Sequence, residues 1–411
     1  MIINKQIQRL LAIALISGMS SAVFAKSNEN TDTAGSIAPM VSEADAKLSF
    51  WDMPYLENAY IDTTPSPRKD AIPVGELGVG ELDVNNGNKD MIVALAKEIA
   101  NSKHGLIDSL LISHKGDLVF ESYYLRGRVD LPHMQASSTK SYVSLAIGRA
   151  IQLGYLTMAD LDKPLVSFLK DLDLSRVVEG AEKITLHTAM SMQSGLRISR
   201  EELAEYDKNP QQIKGQGQVQ TYLEHGPSIT SESQSFHYQS ADPRLVMQVL
   251  DAVVPGTAKD FIKNELLAKM GISNYNWRDD VSGLPMGPYG SSMTSRNMVK
   301  WGTLIMNKGK WQGEQLVPES FIKKATSSIV YPDDMFFVSG NVSNAGYGYY
   351  FWQADMNVGN KKYATQSAQG GGGQYIIMIE ELDLLVVFTA HERDDKTMQI
   401  TADRVLPAFV N

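Results

Sequence analysis

The chain has 411 residues, 43% of them hydrophobic and 21% charged, with 32 Gly, 16 Pro and no Cys. That length and apolar fraction allow a large core shared by two subdomains. The lack of cysteine excludes disulfides, thiolate metal sites, iron–sulfur clusters and any cysteine nucleophile. With 38 basic against 47 acidic residues and no Lys/Arg run, charge argues against nucleic-acid or anionic-membrane binding.

Residues 1–25 read as a signal peptide. Lys5 and Arg9 precede the apolar run Leu10–Ile16, and Val23-Phe24-Ala25 gives a small-x-small cleavage pattern. The run is short for a membrane span, and an uncleaved anchor is the alternative. Cleavage would remove two cations and no acid, which lowers the net charge from −9 to −11. The expectation is a periplasmic or secreted protein, free of the membrane once cleaved.

Residues 26–49 are polar and small, a flexible lead-in. Pro65, Pro67 and Pro73 with Gly75, Gly78 and Gly80 predict irregular chain up to Asn88. Met91–Ser102 reads as an amphipathic helix. Leu110–Ser113 and Leu118–Tyr124 read as strands joined at His114–Asp117 into a hairpin. Ser141–Leu153, apolar on most faces and closed by Gly154, predicts a buried helix. Pro243–Val254 and Lys259–Met270 predict two more. Arg296–Lys308 predicts another, with Ser295 as N-cap and Gly309 just past its end. Strands are expected at Tyr347–Gln353, Gln374–Ile379 and Leu384–Ala390, with a turn at Glu380–Asp383 and a closing helix at Thr397–Val410. Asp207–Gly226, rich in Gln, Gly and charge, reads either as a mobile loop facing substrate or as a surface excursion. Strands at both ends and helices between them imply one composite sheet-and-helix subdomain from residues 50–130 and 290–411, with a mainly helical subdomain, 131–289, inserted into it.

Several chemistries are missing from the sequence. There is no G-x-S-x-G, no H-E-x-x-H and no G-x-x-x-x-G-K-[ST]. His391-Glu392-Arg393-Asp394-Asp395 could be drawn as a metal cluster, but its charge density favours a solvated turn. Neither a metal nor an organic cofactor is called for.

Ser-x-x-Lys occurs at Ser66/Lys69, Ser137/Lys140, Ser167/Lys170 and Ser320/Lys323. On a helix, positions i and i+3 share a face, so the amine can lie beside the hydroxyl. A lysine serves as base only where burial lowers its pKa. Ser66 precedes a proline, and the copies at 167 and 320 lie in charged stretches. Ser137/Lys140 opens the apolar helix, whose N-terminus also offers free N–H groups to an oxyanion. On helix context alone, Ser137 could equally be an N-cap and Lys140 could reach out to water.

Tyr238-Gln239-Ser240 supplies a second feature, because a tyrosine beside an ammonium can be held as phenolate and act as base. Tyr142–Ser144 and Tyr289–Ser291 match the same spacing; Tyr142 should point away from Ser137, and Tyr289 is a weaker candidate on a Gly-flanked turn. A third is Gly370–Gly373 running into Gln374-Tyr375-Ile376-Ile377. It is either a flexible loop or a strand edge that presents N–H groups to a carbonyl.

Together, Ser-x-x-Lys, Tyr-x-Ser and a glycine-bearing edge strand resemble the serine β-lactamase-like hydrolases, which include class C β-lactamases, DD-peptidases, esterases and 6-aminohexanoate-dimer hydrolases. Ile184–Leu196 and Met293–Gly302 also look like segments of that family, and the resemblance runs from about Leu106 to the C-terminus. It implies a β-lactamase/transpeptidase-like fold, α+β or α/β, with an antiparallel sheet flanked by helices. It further implies Ser137 as acylated nucleophile, Lys140 and Tyr238 as the proton-transfer pair, and Ser240 at the third position of the second motif. The oxyanion would be held by the N–H of Ser137 and one from Gly373–Gln374, Gln374 being favoured and the register open by one residue. The third motif carries no cation, and Ser240 stands where the lactamases have Asn. Tyr-x-Ser with Gly-Gly-Gln-Tyr is closest to the 6-aminohexanoate-dimer hydrolase and carboxylesterase branch. The expected partner is a small ester or amide. A weak β-lactamase or DD-peptidase and a non-catalytic binding protein on the same fold are the alternatives.

Overall fold

The computed structural model describes residues 37–65, 77–333 and 335–410. The expected signal peptide, Pro67, Pro73, Gly75 and the Ser66/Lys69 pair lie outside the described residues.

The N-terminal part supplies β1 (Tyr60–Asp62), β2 (Gly78–Val79), helix α1 (Lys89–Ala100), β3 (Ile107–His114) and β4 (Asp117–Tyr123). Asn88 caps α1 by accepting the Met91 N–H. The β3–β4 hairpin turns through Lys115 and Gly116, both at positive φ, which matches the right-handed twist of its strands. After β5 (His133–Met134) comes α2 (Thr139–Gln152), and then α3 (Leu186–Met190), α4 (Arg200–Tyr206), α5 (Gly217–His225), α6 (Ala241–Val253) and α7 (Ala258–Phe261). The chain returns through β6 (Tyr275–Trp277), β7 (Ser291–Met293), α8 (Ser295–Met306), β8 (Lys310–Trp311), β9 (Glu314–Gln315) and α9 (Glu319–Ala325). It closes with β10 (Val342–Tyr347), β11 (Trp352–Val358), β12 (Lys361–Gly370), β13 (Gln374–Ile379), β14 (Leu384–Ala390) and α10 (Thr397–Ile400).

Among the described residues the main sheet has nine strands in the order β1-β4-β3-β14-β13-β12-β11-β10, with β2 added parallel to β4. Its other pairings are antiparallel. The central strands β3, β13 and β14 are buried at every residue, as strands covered on both faces must be. Helix α8 lies on them closely enough that a Cβ on Gly302 would come within 2.4 Å of Leu385. This is the expected antiparallel sheet flanked by helices. A small sheet, β5-β7-β6, joins the chain before α2 to the chain before α8.

Several elements differ from expectation for identifiable reasons. The strand expected at Tyr347–Gln353 is instead the end of β10, a corner and the start of β11; Gly348 sits so close to the Ala325 carbonyl that a Cβ would reach 2.2 Å, and Tyr350 turns the chain at φ 64°. Strand β12 carries too many polar residues to show alternation. The α8 cap is Thr294, which accepts the Asn297 N–H, and not Ser295. The Lys259–Met270 helix starts as α7 but widens into a π-helix at Ile262–Leu267. The closing helix breaks into α10, a π turn at Thr401–Val405 and a 3-10 turn at Leu406–Phe409, where Pro407 lacks the N–H a regular helix needs. Asp207–Gly226 is no open loop, since α5 fills its second half.

Candidate active site

Helix α2 is buried at every residue from Thr139 to Ala150. Ser137 sits just ahead of it in a 3-10 turn, Ala136–Ser138, half-buried and reachable from solvent. The residue before it, Ala136, is held at φ 46°, a left-handed conformation that needs surrounding support. Gln135 supplies that support. Its N–H donates to the Ser291 carbonyl (2.9 Å), its side-chain amide to the His133 carbonyl (2.9 Å), and its Oε1 accepts the Tyr142 hydroxyl (2.7 Å).

Lys140 Nζ lies 2.9 Å from Ser137 Oγ and donates to the Pro288 carbonyl at 2.8 Å. The residue is only 2% exposed, and the oxygens it bonds, a hydroxyl and a backbone carbonyl, are both neutral. Burial first, then the positive charge of Arg200, pulls its pKa from 10.5 down to about 7. Tyr238 completes the group. Ser137 is close enough to lower the Tyr238 pKa, the Tyr238 ring centroid is 4.8 Å from Lys140 Nζ, and the ring stacks on Trp352 at 5.7 Å and 29°. Burial pushes Tyr238 up to about 12, against the lowering effects of Ser137 and Arg200. The phenolate expected from sequence is therefore not the resting form; near neutrality the amine of Lys140 is the stronger available base, and Tyr238 is a neutral phenol.

The structure separates the competing motif copies. Ser167, Lys170, Ser320 and Lys323 are exposed. Tyr142 points away from Ser137 and stacks on Trp301 at 4.7 Å. Tyr289 follows the Pro288 that holds Lys140, and Ser291 Oγ bonds Thr139 Oγ1 at 2.8 Å, so this third Tyr-x-Ser belongs to the wall behind the lysine. Ser240 is the N-cap residue of α6, and its side chain makes no capping hydrogen bond.

The glycine run forms the β12–β13 turn, in which Gly370 pairs with Gln374. Gly370 lies against the chain before Ser137, where a Cβ would reach 2.1 Å from the Gln135 carbonyl. Gly373, at φ 94°, closes the turn by donating its N–H to the Gly370 carbonyl (3.2 Å). The Gln374 carbonyl accepts Ser138 Oγ at 2.9 Å, and its side-chain amide bonds the Ala390 carbonyl at 2.5 Å. The turn and the serine are thus stitched together from both ends. Gly371, just past the end of β12, has open space where a Cβ would be; with the Gly373 N–H already donated within the turn, Gly371 joins Gln374 as a candidate source of an N–H.

Pro288, Trp352, Gln135 and Arg200 were not singled out from sequence. Pro288 acts through a carbonyl that every residue has, and Trp352 meets Tyr238 only through the β10–β11 corner. His391 is not in a solvated turn; its ring contacts Asp108 (2.7 Å). Among the described residues no His/Asp/Glu group could hold a metal ion, and no helix is long and apolar enough to cross a membrane. A cleft of about 740 Å³ between Tyr331 and Gln366 holds none of Ser137, Lys140 and Tyr238.

The family model described as Beta-lactamase matches residues 94–408. Among solved structures, a protein provisionally described as a 6-aminohexanoate-dimer hydrolase from Bacillus anthracis is 15% identical, with 92% of this chain and 96% of that one covered at a TM-score of 0.58. A class C beta-lactamase is 14% identical over 79% of this chain and 96% of that one, at a TM-score of 0.56. The octameric penicillin-binding protein homologue from Pyrococcus abyssi is 18% identical over 79% and 78%, also at 0.56. These likenesses concern the fold. A search of the curated proteins finds no match.

Proposed function

Because the chain belongs to the Beta-lactamase family, a family of serine hydrolases and penicillin-interacting proteins, we propose that it cleaves a small carboxylic ester or amide through an acyl-enzyme on Ser137. The observation that carries the proposal is Lys140 Nζ, 2.9 Å from Ser137 Oγ and buried with an amine near half-deprotonation at pH 7.

Ser137 Oγ attacks the substrate carbonyl carbon while its proton passes to Lys140. The new C–O bond places negative charge on the carbonyl oxygen. That oxyanion takes N–H bonds from Ser137 and from the Gly370–Gln374 turn, groups fixed before the reaction begins. The scissile C–O or C–N bond then breaks, and the leaving group takes a proton delivered through Lys140 and the Tyr238 hydroxyl. Water attacks the ester on Ser137, loses its proton to the same pair and releases the acid. Tyr238, neutral at rest, relays a proton rather than starting as a base. The third motif, Gly371-Gly372-Gly373, carries no cation, which favours uncharged esters over β-lactams and peptide carboxylates. The reading extends to location: residues 1–25 direct export and are cleaved, which N-terminal sequencing of the exported protein checks.

The test is intact-protein mass after exposure to a fluorophosphonate, with peptide mapping. One adduct is expected on Ser137 in the native protein and none in folded Ser137→Ala, whose ester hydrolysis should fall to background. A folded Ser137→Ala that still turns over would overturn the mechanism. Stoichiometric acylation by benzylpenicillin would move the substrate class to β-lactams.

A further inference from the structure

Asp108, at the start of β3, is fully buried and lies outside the reacting group. Its Oδ2 accepts two imidazole N–H groups, His391 Nδ1 at 2.7 Å and His133 Nε2 at 3.1 Å. Its Oδ1 accepts the Arg126 backbone N–H at 3.0 Å. Burial raises the carboxyl, but the two imidazole hydrogen bonds outweigh it and leave Asp108 below its usual range. On the far side of His391, Nε2 accepts Arg126 Nη1 at 2.9 Å, which orients the ring with its Nδ1 proton toward Asp108. Phe50 closes the space with its ring centroid 4.3 Å from that of His133 and 5.8 Å from that of His391.

The two histidines lead to different halves of the site. The His133 carbonyl accepts the Gln135 amide, and Gln135 carries the strained Ala136 and then Ser137. His391 continues β14 beyond Ala390. On either side of it, the Ala390 carbonyl takes the Gln374 amide and the Glu392 N–H donates to the Gly372 carbonyl at 3.2 Å. Ala390 also packs under Gly373, whose Cβ would come within 2.6 Å. One carboxylate oxygen therefore reaches, through one imidazole each, the two backbone segments that must present N–H groups to the same oxyanion.

We propose that Asp108 is a positioning residue: through His133 and His391 it sets the spacing between the Ser137 segment and the Gly370–Gln374 turn, and with it the shape of the oxyanion hole. The inference rests on the acyl-enzyme reading above. An error of about 1 Å in such a geometry lowers a rate about 10²-fold. Asparagine is the informative replacement, because Oδ2 accepts two protons and Oδ1 a third. An amide must turn its NH₂ toward either the two imidazoles or the Arg126 N–H, and contacts are lost in both cases.

The experiment compares the rate of fluorophosphonate labelling at Ser137 in native protein, Asp108→Asn, His133→Phe and Asp108→Asn/His133→Phe, with hydrogen exchange followed over residues 135–138 and 370–374. Asp108→Asn should label about 10- to 100-fold more slowly, with KM for any ester turned over changed less than about threefold. The double variant should add little, since both changes cut one path. Exchange should accelerate in both segments for Asp108→Asn, including the turn that Asp108 does not touch. Glu98→Gln, which removes the pairing of Glu98 with His104 and Arg404, controls for lost stability and should label at the native rate. Labelling of folded Asp108→Asn within twofold of native, or exchange unchanged in the turn, overturns the proposal and leaves the acyl-enzyme reading standing. A native protein that does not label overturns that reading instead, and unchanged exchange in Asp108→Asn would then sink the coupling separately. Should Asp108→Asn fail to fold, His391→Phe cuts the turn side alone and is read the same way.

Discussion

Of the buried cations among the described residues, Arg296 and Lys140, on two neighbouring helices, have opposite fates. Arg296 on α8, 4% exposed, meets the fully buried carboxylate of Glu121 with Nε at 2.8 Å and Nη2 at 2.6 Å. Lys140 on α2 is buried as deeply but is given the Pro288 carbonyl and a serine hydroxyl. The carboxylate neutralises a guanidinium that stays charged in any protein setting and makes it structural, whereas neutral oxygens leave the lysine with its proton loosely held, as a base requires. Burial is common to both; the chemistry of the side chain and of its partner separates them.

Replacing each cation by a hydrophobe of similar length tests this contrast most severely. Lys140→Met should lower ester turnover by about 10²–10⁴-fold yet raise the melting temperature at pH 7. The sign follows from the lowered pKa. Between about 7 and 10.5 the folded chain binds fewer protons at Lys140 than the unfolded chain, so this residue opposes folding fully at and below pH 7 and less as pH rises to 10.5. The advantage of Lys140→Met in thermal melts should accordingly shrink toward pH 10.5, and a methionine variant less stable than native at pH 7 would break the comparison. Arg296→Met should do the reverse. It strands Glu121 and lowers unfolding free energy by about 3–5 kcal/mol, measured by urea titration, while molecules that remain folded keep their rate.

Smaller effects sharpen the picture. Trp352→Leu removes the ring on which Tyr238 stacks, and kcat should fall about 3- to 10-fold with KM little changed. The pH profile of kcat/KM should rise as Lys140 loses its proton, with a midpoint near 7. Arg200→Gln takes away the one charge that lowers Lys140 further, so that midpoint should move to higher pH, and by less than burial has moved it.

How much of this could be read in advance differs by element. Helix α2 was legible because its pattern is local: an apolar run closed by glycine, opened by a serine and a lysine one turn apart. The β3–β4 hairpin and strands β13 and β14 were legible for the same reason, since their residue types match a buried pleated surface. Strand β12 was not, because a polar strand between two others gains its stability from neighbours. Of the three Tyr-x-Ser triplets, helix position already set Tyr142 aside and a Gly-flanked turn made Tyr289 the weaker; the resemblance favoured Tyr238, and the fold places its ring against Lys140 while Tyr142 stacks on Trp301. Nothing in the HERDD stretch distinguished His391 from its charged neighbours either, as its partner Asp108 is 283 residues away.

The sequence by itself determined the spacing of Ser137 and Lys140, the burial of the helix they open and the glycines that let a turn approach it, because helical periodicity and backbone freedom act over a few residues. Tertiary structure alone decided the proton held by Lys140, the neutrality of Tyr238 and the linkage of both site walls to Asp108. Those properties depend on which oxygens, rings and charges surround each group, and here they come from strands and loops far along the chain.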